Sequence, residues 1–220
     1  MTTILHMSDT HGSDITVLPL DDVDIVIHSG DFMPTKGRRP GARIDPEAER
    51  KYQARWMDKN RAKILDWLGG RPMILVPGNH DFHNPTFAAP NVVRITNGSI
   101  TLKGSQLAQP IRFCGYRFVP FVDGEWCGEK VELDIAADAK DFSDCDILIT
   151  HAPPHGVLDY DCGRHWGSTA LANEYLYRRE GRAPKAWLCG HVHGDAGRRP
   201  FGETMVVNSA TIAQRVEYRP

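Results

Sequence analysis

The sequence predicts an α/β fold in which two sheet layers pack face to face with helices outside them. The chain has 220 residues, of which 41% are apolar and 25% charged, a composition typical of a globular protein with a buried core. Short β-branched apolar runs recur along the chain and end in glycine or polar residues, which is typical of buried strands. A long segment between two of these runs has the start and stop signals of a helix. These three observations together favour a mixed α/β class.

Five of the apolar runs share a further property as predicted strands. A His or carboxylate residue lies just past the carboxyl end of each run. In open α/β sheets, ligands bind at that end of the strands. The five runs cover residues 3–7, 24–28, 72–76, 146–149 and 186–188.

Two helices are predicted between the strands. The longer one covers residues 46–68, because Asp45 is a favourable N-cap, Pro46 suits the first helical position, and the glycine pair at 69–70 can end the helix. The shorter one covers residues 169–179. Both connect predicted strands, as an α/β fold requires.

Residues 91–122 are predicted to form further strands joined by tight turns, and two more strands are predicted at 203–208 and 212–218. Asn97-Gly98 is a strong hairpin signal, and Gly115-Tyr116 is a second turn signal. The sequence shows no internal repeat, low-complexity segment or shift in composition. We therefore expect a single domain.

Charge and cysteine content restrict the setting of the protein. The chain has 26 basic and 28 acidic residues and a formal net charge of −2, so nothing in the overall charge favours nucleic acid or an anionic membrane as partner. Its five cysteines are odd in number and form no Cys-x-x-Cys pair, which argues against a disulfide framework and a structural zinc knuckle. Without a recognisable signal peptide or membrane-spanning run, a cytoplasmic protein with no membrane partner is expected.

The polar residues after the five strands form an ordered series of metal-ligand types: Asp-x-His, Asp, Asn-His-Asp, His and His-x-His. Each motif alone is weak, because turns and helix caps use the same residues. Together they would gather carboxylates and imidazoles at one edge, where buried charge needs a partner or a metal. Oxygen and imidazole ligands without thiolate suit ions such as Mn, Fe or Zn.

These motifs resemble the five-block signature of the calcineurin-like metallophosphoesterases, in that family's order. The motifs are Asp9-Thr10-His11, Gly30-Asp31, Gly78-Asn79-His80-Asp81, His151 and Gly190-His191-Val192-His193. Residues 150–159 and 208–211 are also similar to the small metallophosphodiesterase-domain subgroup, which is class III-like. The resemblance implies a four-layer α/β/β/α sandwich over residues 1–220, with a dinuclear metal site at the carboxyl ends of the strands.

The resemblance implies that seven residues hold two divalent metal ions. Mn²⁺ is the expected ion, with Fe, Zn or Ni as alternatives. A hydroxide bridging the two ions would attack phosphorus, since paired metals lower the pKa of a shared water. One ion would have Asp9, His11 and His193 as ligands, the other would have Asn79, His151 and His191, and Asp31 would bridge both.

Two residues are implied to act in catalysis beside the metals. His80 would give a hydrogen bond or a proton to the departing oxygen. Asp81 would orient His80 and keep it cationic, because a nearby carboxylate favours the charged imidazole. Asn79, His80, His155 and Ser168 are candidate substrate contacts. His155 can equally be a surface residue, and Ser168 can be a plain N-cap, although free N–H groups at a helix start also bind phosphate.

The implied activity is metal-dependent hydrolysis of phosphate esters, with phosphodiesters preferred, either of the nucleotide type or others. A phosphomonoesterase for nucleotides or proteins is the enzymatic alternative, and a non-catalytic scaffold on the same fold is a third reading. A metallo-β-lactamase site would need a His-x-His-x-Asp-His run that the sequence lacks. The expected partner is therefore a phosphate-ester substrate, with nucleotide or nucleic acid among the candidates, and no protein partner is indicated.

The segment at residues 32–63 is basic, with ten Lys or Arg against four acidic residues and a net charge of +6. It begins directly after Asp31 and could steer anionic substrates, including nucleic acid, towards the site. A solvated helix face explains the same charges. Salt-sensitive turnover on long anionic substrates would distinguish the two explanations.

Overall fold

The computed structural model describes residues 1–37, 42–104, 107, 109–140, 144–177 and 183–219. Most strands in this part of the chain belong to two mixed sheets, one of five and one of six strands. The strands are, in chain order, β1 (Thr2–Met7), β2 (Ile25–His28), β3 (Met73–Leu75), β4 (Val92–Arg94), β5 (Asn97–Leu102), β6 (Ile111–Tyr116), β7 (Val119–Pro120), β8 (Glu129–Lys130), β9 (Ile147–Thr150), β10 (Tyr160–Asp161), β11 (Arg164–His165), β12 (Ala186–Cys189), β13 (Gly197–Phe201), β14 (Thr204–Asn208) and β15 (Ala213–Tyr218).

Helices are fewer than strands in the described residues. The α-helices are α1 (Pro46–Leu68), α2 (Glu132–Ala139) and α3 (Thr169–Ala172), and α3 continues into a π-helical turn at Asn173–Tyr177. Short 3₁₀ turns lie at Ile15–Val17 and His193–Asp195. No helix in this part of the chain is both long and apolar enough to cross a bilayer.

The two sheets are built alike. The first has the order β15-β1-β2-β3-β4, with β1 to β4 parallel and β15 antiparallel to β1. The second has the order β13-β14-β12-β9-β6-β5, with four parallel strands in the middle and an antiparallel strand at each edge. Parallel strands place their carboxyl ends at one edge of a sheet, where loops can form a site.

Three apolar clusters show how the elements pack. The cluster between the sheets joins residues such as Ile27 of β2 to Ile149 of β9. A second joins the other face of the first sheet to α1, through side chains such as Leu68. A third joins the other face of the second sheet to α2 and α3, with Ile135 and Leu171 among its members. The α/β class is confirmed, and the clusters support the order helix, sheet, sheet, helix.

The elements with local signals lie where they were predicted. The helix α1 has the predicted bounds, with Asp45 accepting the N–H groups of Glu47 and Ala48 and Gly69 ending the helix in a left-handed conformation at φ 55°. The five predicted strands agree with β1, β2, β3, β9 and β12 to within one residue at each end. The shorter predicted helix is represented by α3 and the π-helical turn, and its residues 178–179 lie outside the described residues.

The two turns predicted at Asn97-Gly98 and Gly115-Tyr116 are wrong. Both pairs lie inside strands, because β5 pairs with β6 so that Gly98 is opposite Gly115. The preceding strand β4 belongs to the other sheet, so the chain crosses between sheets here. A Cβ on Gly115 would lie 2.7 Å from the Cβ of Ile95. This glycine marks a close approach of two segments rather than a turn.

Candidate metal centre

Residues that follow strands of both sheets meet around the side chain of Asp31. Asp31 Oδ2 lies 3.4 Å from His151 Nε2, 3.8 Å from His11 Nε2 and 3.9 Å from His80 Nε2. The Asp31 side chain is only 2% exposed. A buried carboxylate oxygen surrounded by three imidazole nitrogens is an arrangement in which a cation is favoured.

Asp9 joins this centre to the loop after β12. Its Oδ1 lies 3.1 Å from His193 Nε2, and its Oδ2 accepts the backbone N–H of His191 at 2.9 Å. Potential ligand atoms of Asp9, His11 and His193 all lie within 4.8 Å of one another. The structure thus brings together the three residues predicted for one ion.

The residues predicted for the other ion also lie close together. Asn79 Oδ1 is 3.0 Å from His151 Nε2, and the rings of His151 and His191 have centroids 5.1 Å apart. Burial lowers the pKa of His191 to about 4, which keeps its imidazole in the neutral form that binds metals. All seven predicted ligands are therefore close together, and their assignment to particular ions stays a prediction.

The hydrogen bonds of His151 test whether a cation fits this centre. Its Nδ1 lies 2.9 Å from the carbonyl oxygen of Ser29, so Nδ1 carries a proton and donates it. Its Nε2 then faces Asn79 Oδ1 and Asp31 Oδ2, two oxygens that have no hydrogen to donate. Burial lowers the pKa of His151, but Asp31 and Asp9 outweigh burial and raise it to about 9. The place that holds this proton suits a metal ion equally well.

The two central carboxyl groups respond to the same interaction. Burial would favour their neutral form, but the positive charge of His151 outweighs it, so the pKa of Asp9 and the pKa of Asp31 both lie below the ordinary value. Both groups are therefore ionised at neutral pH, as metal ligands must be.

Four of the predicted ligands have a left-handed backbone. The φ angles are 53° at Asp9, 45° at His11, 56° at Asp31 and 70° at His191, a region that residues other than glycine seldom occupy. Backbone hydrogen bonds from Asp9 N to Gly30 O at 2.8 Å and from His11 N to Asp31 O at 2.9 Å hold two of these bends. The bends turn the side chains inward at the strand ends.

His80 lies beside the cluster and against an aromatic ring. Its backbone N–H donates to Asp31 Oδ1 at 2.8 Å, and its imidazole stacks on Trp126 with centroids 3.8 Å apart and an angle of 31°. Burial is the largest cause that lowers the pKa of His80, against the opposing effect of Asp31. Among the described residues, its buried Nδ1 has no hydrogen-bond partner.

The carboxyl group of Asp81 is bonded to the backbone of two loops. Its oxygens accept the backbone N–H groups of Phe32 at 3.2 Å, Met33 at 3.0 Å and Gly78 at 2.9 Å. These bonds occupy the carboxyl group, and burial is the main reason that the pKa of Asp81 is raised. Among the described residues Asp81 makes no hydrogen bond to the His80 ring; its charge raises the pKa of His80, but burial outweighs it. The predicted role of Asp81 beside His80 stays a prediction, and the hydrogen bonds show that Asp81 ties together the two ligand-bearing loops.

The loop before β8 was not found from the sequence. Glu129 accepts four backbone N–H groups, from residues 122–124 and from Trp126, at 2.8 to 3.1 Å. Cys127 N donates to the carbonyl oxygen of Asn79 at 2.9 Å. One carboxylate thus orders a loop that carries Trp126 to the centre. The one sequence signal for this loop is Trp126 itself, an aromatic residue between Gly124 and Gly128.

Two predicted substrate contacts lie elsewhere. Ser168 is buried, donates to Glu132 Oε2 at 3.0 Å and accepts the N–H of Leu171 at 3.2 Å. Its hydroxyl is used within the fold as an N-cap, so the structure does not support a substrate contact. His155 lies in a cluster with Asp159 and His165 that includes none of the seven predicted metal ligands.

Two cavities adjoin the centre. One of about 320 Å³ is lined by His80, His193 and the rings of Trp126 and Trp166. The other, of about 370 Å³, is lined by Asp9 and by apolar side chains that include Leu18 and Ile212. The imidazole-bearing residue His11 lines both cavities. The centre therefore has space on two sides.

The basic segment 32–63 contributes little to these cavities. None of its described Lys and Arg residues lines either one, and residues 38–41 lie outside the described residues. On α1 the cations pair locally, as in Lys51 with Glu47 at 2.6 Å and Lys63 with Asp14 at 2.6 Å. This geometry favours the explanation as a solvated helix face.

Comparison with known proteins assigns the chain to a family. The family model for the calcineurin-like phosphoesterases matches residues 2–195. The chain therefore belongs to the calcineurin-like phosphoesterase family, which comprises hydrolases of phosphate esters. The resemblance drawn from the five motifs is confirmed.

Individual relatives are distant. UPF0046 protein K07C11.7 of Caenorhabditis elegans is 25% identical over 231 residues, which cover 99% of this chain and 73% of that protein. "Probable rhamnogalacturonate lyase C" of Emericella nidulans is 26% identical over 202 residues, which cover 89% of this chain but 17% of that protein. A solved structure named "Putative 5'-Nucleotidase from Staphylococcus aureus in complex with alpha-ketoglutarate" has a TM-score of 0.57 and 13% identity, covering 97% of this chain and 50% of that one. At that identity the likeness shows the fold alone.

Proposed function

We propose that this chain is a dinuclear metal-dependent phosphodiesterase and that residues 1–220 form one domain. The observation that carries the proposal is the buried Asp31 carboxylate, whose Oδ2 lies within 3.9 Å of three imidazole nitrogens. Donors from both sheets complete the set with oxygen and nitrogen atoms only. The proposed metal ligands are Asp9, His11, Asp31, Asn79, His151, His191 and His193.

The reaction divides between the bound ions and the residues around them. Two divalent ions, with Mn²⁺ expected, would supply a hydroxide nucleophile and neutralise phosphate charge. Asp31 presents Oδ2 to the centre, while its Oδ1 accepts the backbone N–H of His80. The His80 ring stacks on Trp126, with its Nε2 3.9 Å from Asp31 Oδ2. His80 Nε2 is therefore placed to give a hydrogen bond or a proton to the departing oxygen.

Space on two sides of the centre supports a diester rather than a monoester. A phosphodiester carries two organic substituents, and a monoester carries one. The cavity with Trp126 and Trp166 and the cavity with Leu18 and Ile212 meet at His11. The two Trp rings suit a planar group such as a nucleobase, since aromatic faces favour stacking. Phosphodiesters of the nucleotide type are therefore the proposed substrates.

Turnover of bis-p-nitrophenyl phosphate tests the proposal directly. Metal-stripped protein is assayed before and after addition of Mn²⁺, beside p-nitrophenyl phosphate as the monoester. We expect activity on the diester that appears with metal. Asp31→Asn should abolish this activity, because it weakens both proposed metal sites at once. Asp21→Asn, an exposed carboxylate on the surface, serves as the matched control and should behave as wild type.

The outcomes separate the possible functions. Faster turnover of the monoester would make the protein a phosphomonoesterase. Failure to turn over either ester with Mn²⁺, Fe, Zn or Ni would favour a scaffold. Asp31→Asn protein that keeps two metals and normal turnover would contradict the bridging role.

A further inference from the structure

A second cluster of metal-ligand side chains lies outside the proposed centre. His165 Nδ1 is 2.7 Å from Asp159 Oδ1, and the rings of His155 and His165 have centroids 4.8 Å apart. Potential ligand atoms of these three residues all lie within 4.8 Å of one another. The described residues that line the two cavities of the centre do not include any of the three. The proposed phosphodiesterase chemistry therefore leaves this cluster without a role.

The carboxylate of this cluster is held in place by the backbone. Asp159 is 1% exposed, and its Oδ2 accepts the N–H of Gly167 at 3.2 Å. A Cβ on Gly167 would lie 2.8 Å from that oxygen, so the absence of a side chain there lets the backbone approach the carboxylate. This contact leaves Oδ1 directed towards the imidazoles. Metal-binding carboxylates are commonly fixed by such a second contact.

The two histidines are also attached to ordered backbone. His155 N donates to the carbonyl oxygen of Ser168 at 3.1 Å. His165 lies in β11, opposite Tyr160 of β10. Its side chain is 44% exposed, which gives an ion a path from solvent. The backbone of all three potential ligands is thus held by hydrogen bonds or strand pairing that do not depend on an ion.

The charges favour a metal ion over a simple ion pair. One protonated imidazole is sufficient to balance the single carboxylate of Asp159. A second imidazole directed at the same place adds nothing to such a pair, and two protonated rings would repel each other. Two neutral imidazoles and one carboxylate form a common donor set for a zinc ion that keeps one open position.

We propose that His155, Asp159 and His165 bind a further divalent ion of the Zn²⁺ class. The ion joins the loop after β9 to the β10–β11 hairpin. Residues on the other side of this hairpin, Asp161 and Cys162, line the cavity over the main centre. The ion therefore supports one wall of that cavity without touching the substrate.

Metal counting tests this site without relying on activity. Wild type and the double variant His155→Gln/His165→Gln are stripped of metal, dialysed against excess Zn²⁺ and analysed by elemental mass spectrometry. We expect the double variant to hold one zinc equivalent fewer than wild type. The matched control is His83→Gln, a partly buried histidine outside the cluster, which should hold as many equivalents as wild type.

Two further variants keep the outcome decisive. His155→Gln alone leaves the His165–Asp159 hydrogen bond intact and should still lose the equivalent, so misfolding of the double variant would not hide the result. The same comparison in the Asp31→Asn background should show the same difference, which separates this site from the main centre. Equal zinc content of wild type and His155→Gln overturns the inference, whether or not the protein proves to be a phosphodiesterase.

Discussion

The position of the Asp31 carboxylate depends on a neighbouring glycine, Gly78. A Cβ on Gly78 would overlap Asp31 Oδ1 and lie 2.5 Å from Asp31 N. Gly78→Ala should therefore cost about 1–3 kcal/mol of unfolding free energy and displace the Asp31 carboxylate. Urea denaturation and metal content measure the two effects. Gly104→Ala is the control, because a Cβ there meets nothing within 4 Å, and a matching loss in that variant would contradict the steric explanation.

His80 acts on the leaving group in the proposed mechanism. His80→Ala should lower turnover by roughly 10²–10⁴-fold and leave the metal content unchanged, because His80 is not one of the proposed ligands. The loss should be smaller for p-nitrophenyl esters than for alkyl esters, since good leaving groups need no proton. Rate constants for a series of leaving groups check this. An equal loss throughout the series would indicate electrostatic stabilisation instead.

At the scale of elements, the loop of residues 122–129 controls the position of His80. Trp126→Ala removes the ring that stacks on His80 at 3.8 Å, and we expect kcat to fall roughly 10–100-fold with a smaller change in KM. Trp126→Phe retains an aromatic face and should recover most of the rate. Steady-state kinetics of both variants separate positioning from substrate binding, and a loss confined to KM would mean that Trp126 serves substrate binding and not the position of His80.

The sequence could predict elements whose signals are local. The bounds of α1 follow from Asp45, Pro46 and Gly69, each of which acts on its neighbours in the chain. The hairpin predicted at Asn97-Gly98 is wrong, because the dipeptide signals a turn but does not determine whether the flanking strands pair with each other. In the fold, β4 and β5 lie in different sheets, and tertiary pairing overrides the local preference.

The candidate site was predictable where its residues have a local position in the chain, and not where they depend on loop packing. The predicted ligands could be proposed because each follows a strand, parallel strands end together, and the resemblance of the five motifs implied their roles. The partners of Asp81 and Glu129 could not be found, because both carboxylates bind backbone N–H groups of loops. Every residue except proline supplies a backbone N–H, so nothing in the sequence marks which residues these carboxylates will bind. The cluster at Asp159 required the fold of the β10–β11 hairpin.

At the scale of the whole molecule, the centre lies where the two sheets meet. His151 follows a strand of the second sheet, while Asp31 and Asn79 follow strands of the first. The pKa of His151 is raised to about 9, so between its ordinary value near 6.5 and pH 9 the metal-free protein holds a proton there that the unfolded chain has lost. This interaction stabilises the metal-free fold fully below pH 6.5, and the stabilisation is lost as pH rises to 9.

The same proton links metal binding to pH. An ion that binds His151 Nε2 must displace the proton, so metal affinity should rise with pH up to about 9, by as much as about tenfold per pH unit. Calorimetric titration with Mn²⁺ in two buffers of different ionisation enthalpy, at pH 7.5, should show release of a proton. The same titration repeated at several pH values up to about 9 gives the affinity as a function of pH, and an affinity that stays constant would contradict the linkage. Asp21→Asn should show the wild-type dependence.

The left-handed backbone at Asp9, His11, Asp31 and His191 has a consequence for how this sequence is maintained. Glycine adopts these φ angles without the penalty of about 1 kcal/mol that other residues incur. In a library of variants sorted only for folded protein, glycine should therefore accumulate at these four positions. In a library sorted for turnover, the same substitutions should disappear. Selection for folding and selection for turnover therefore favour different residues at these four positions. If catalysis were no longer needed, we expect the predicted ligands to be replaced while the fold is kept.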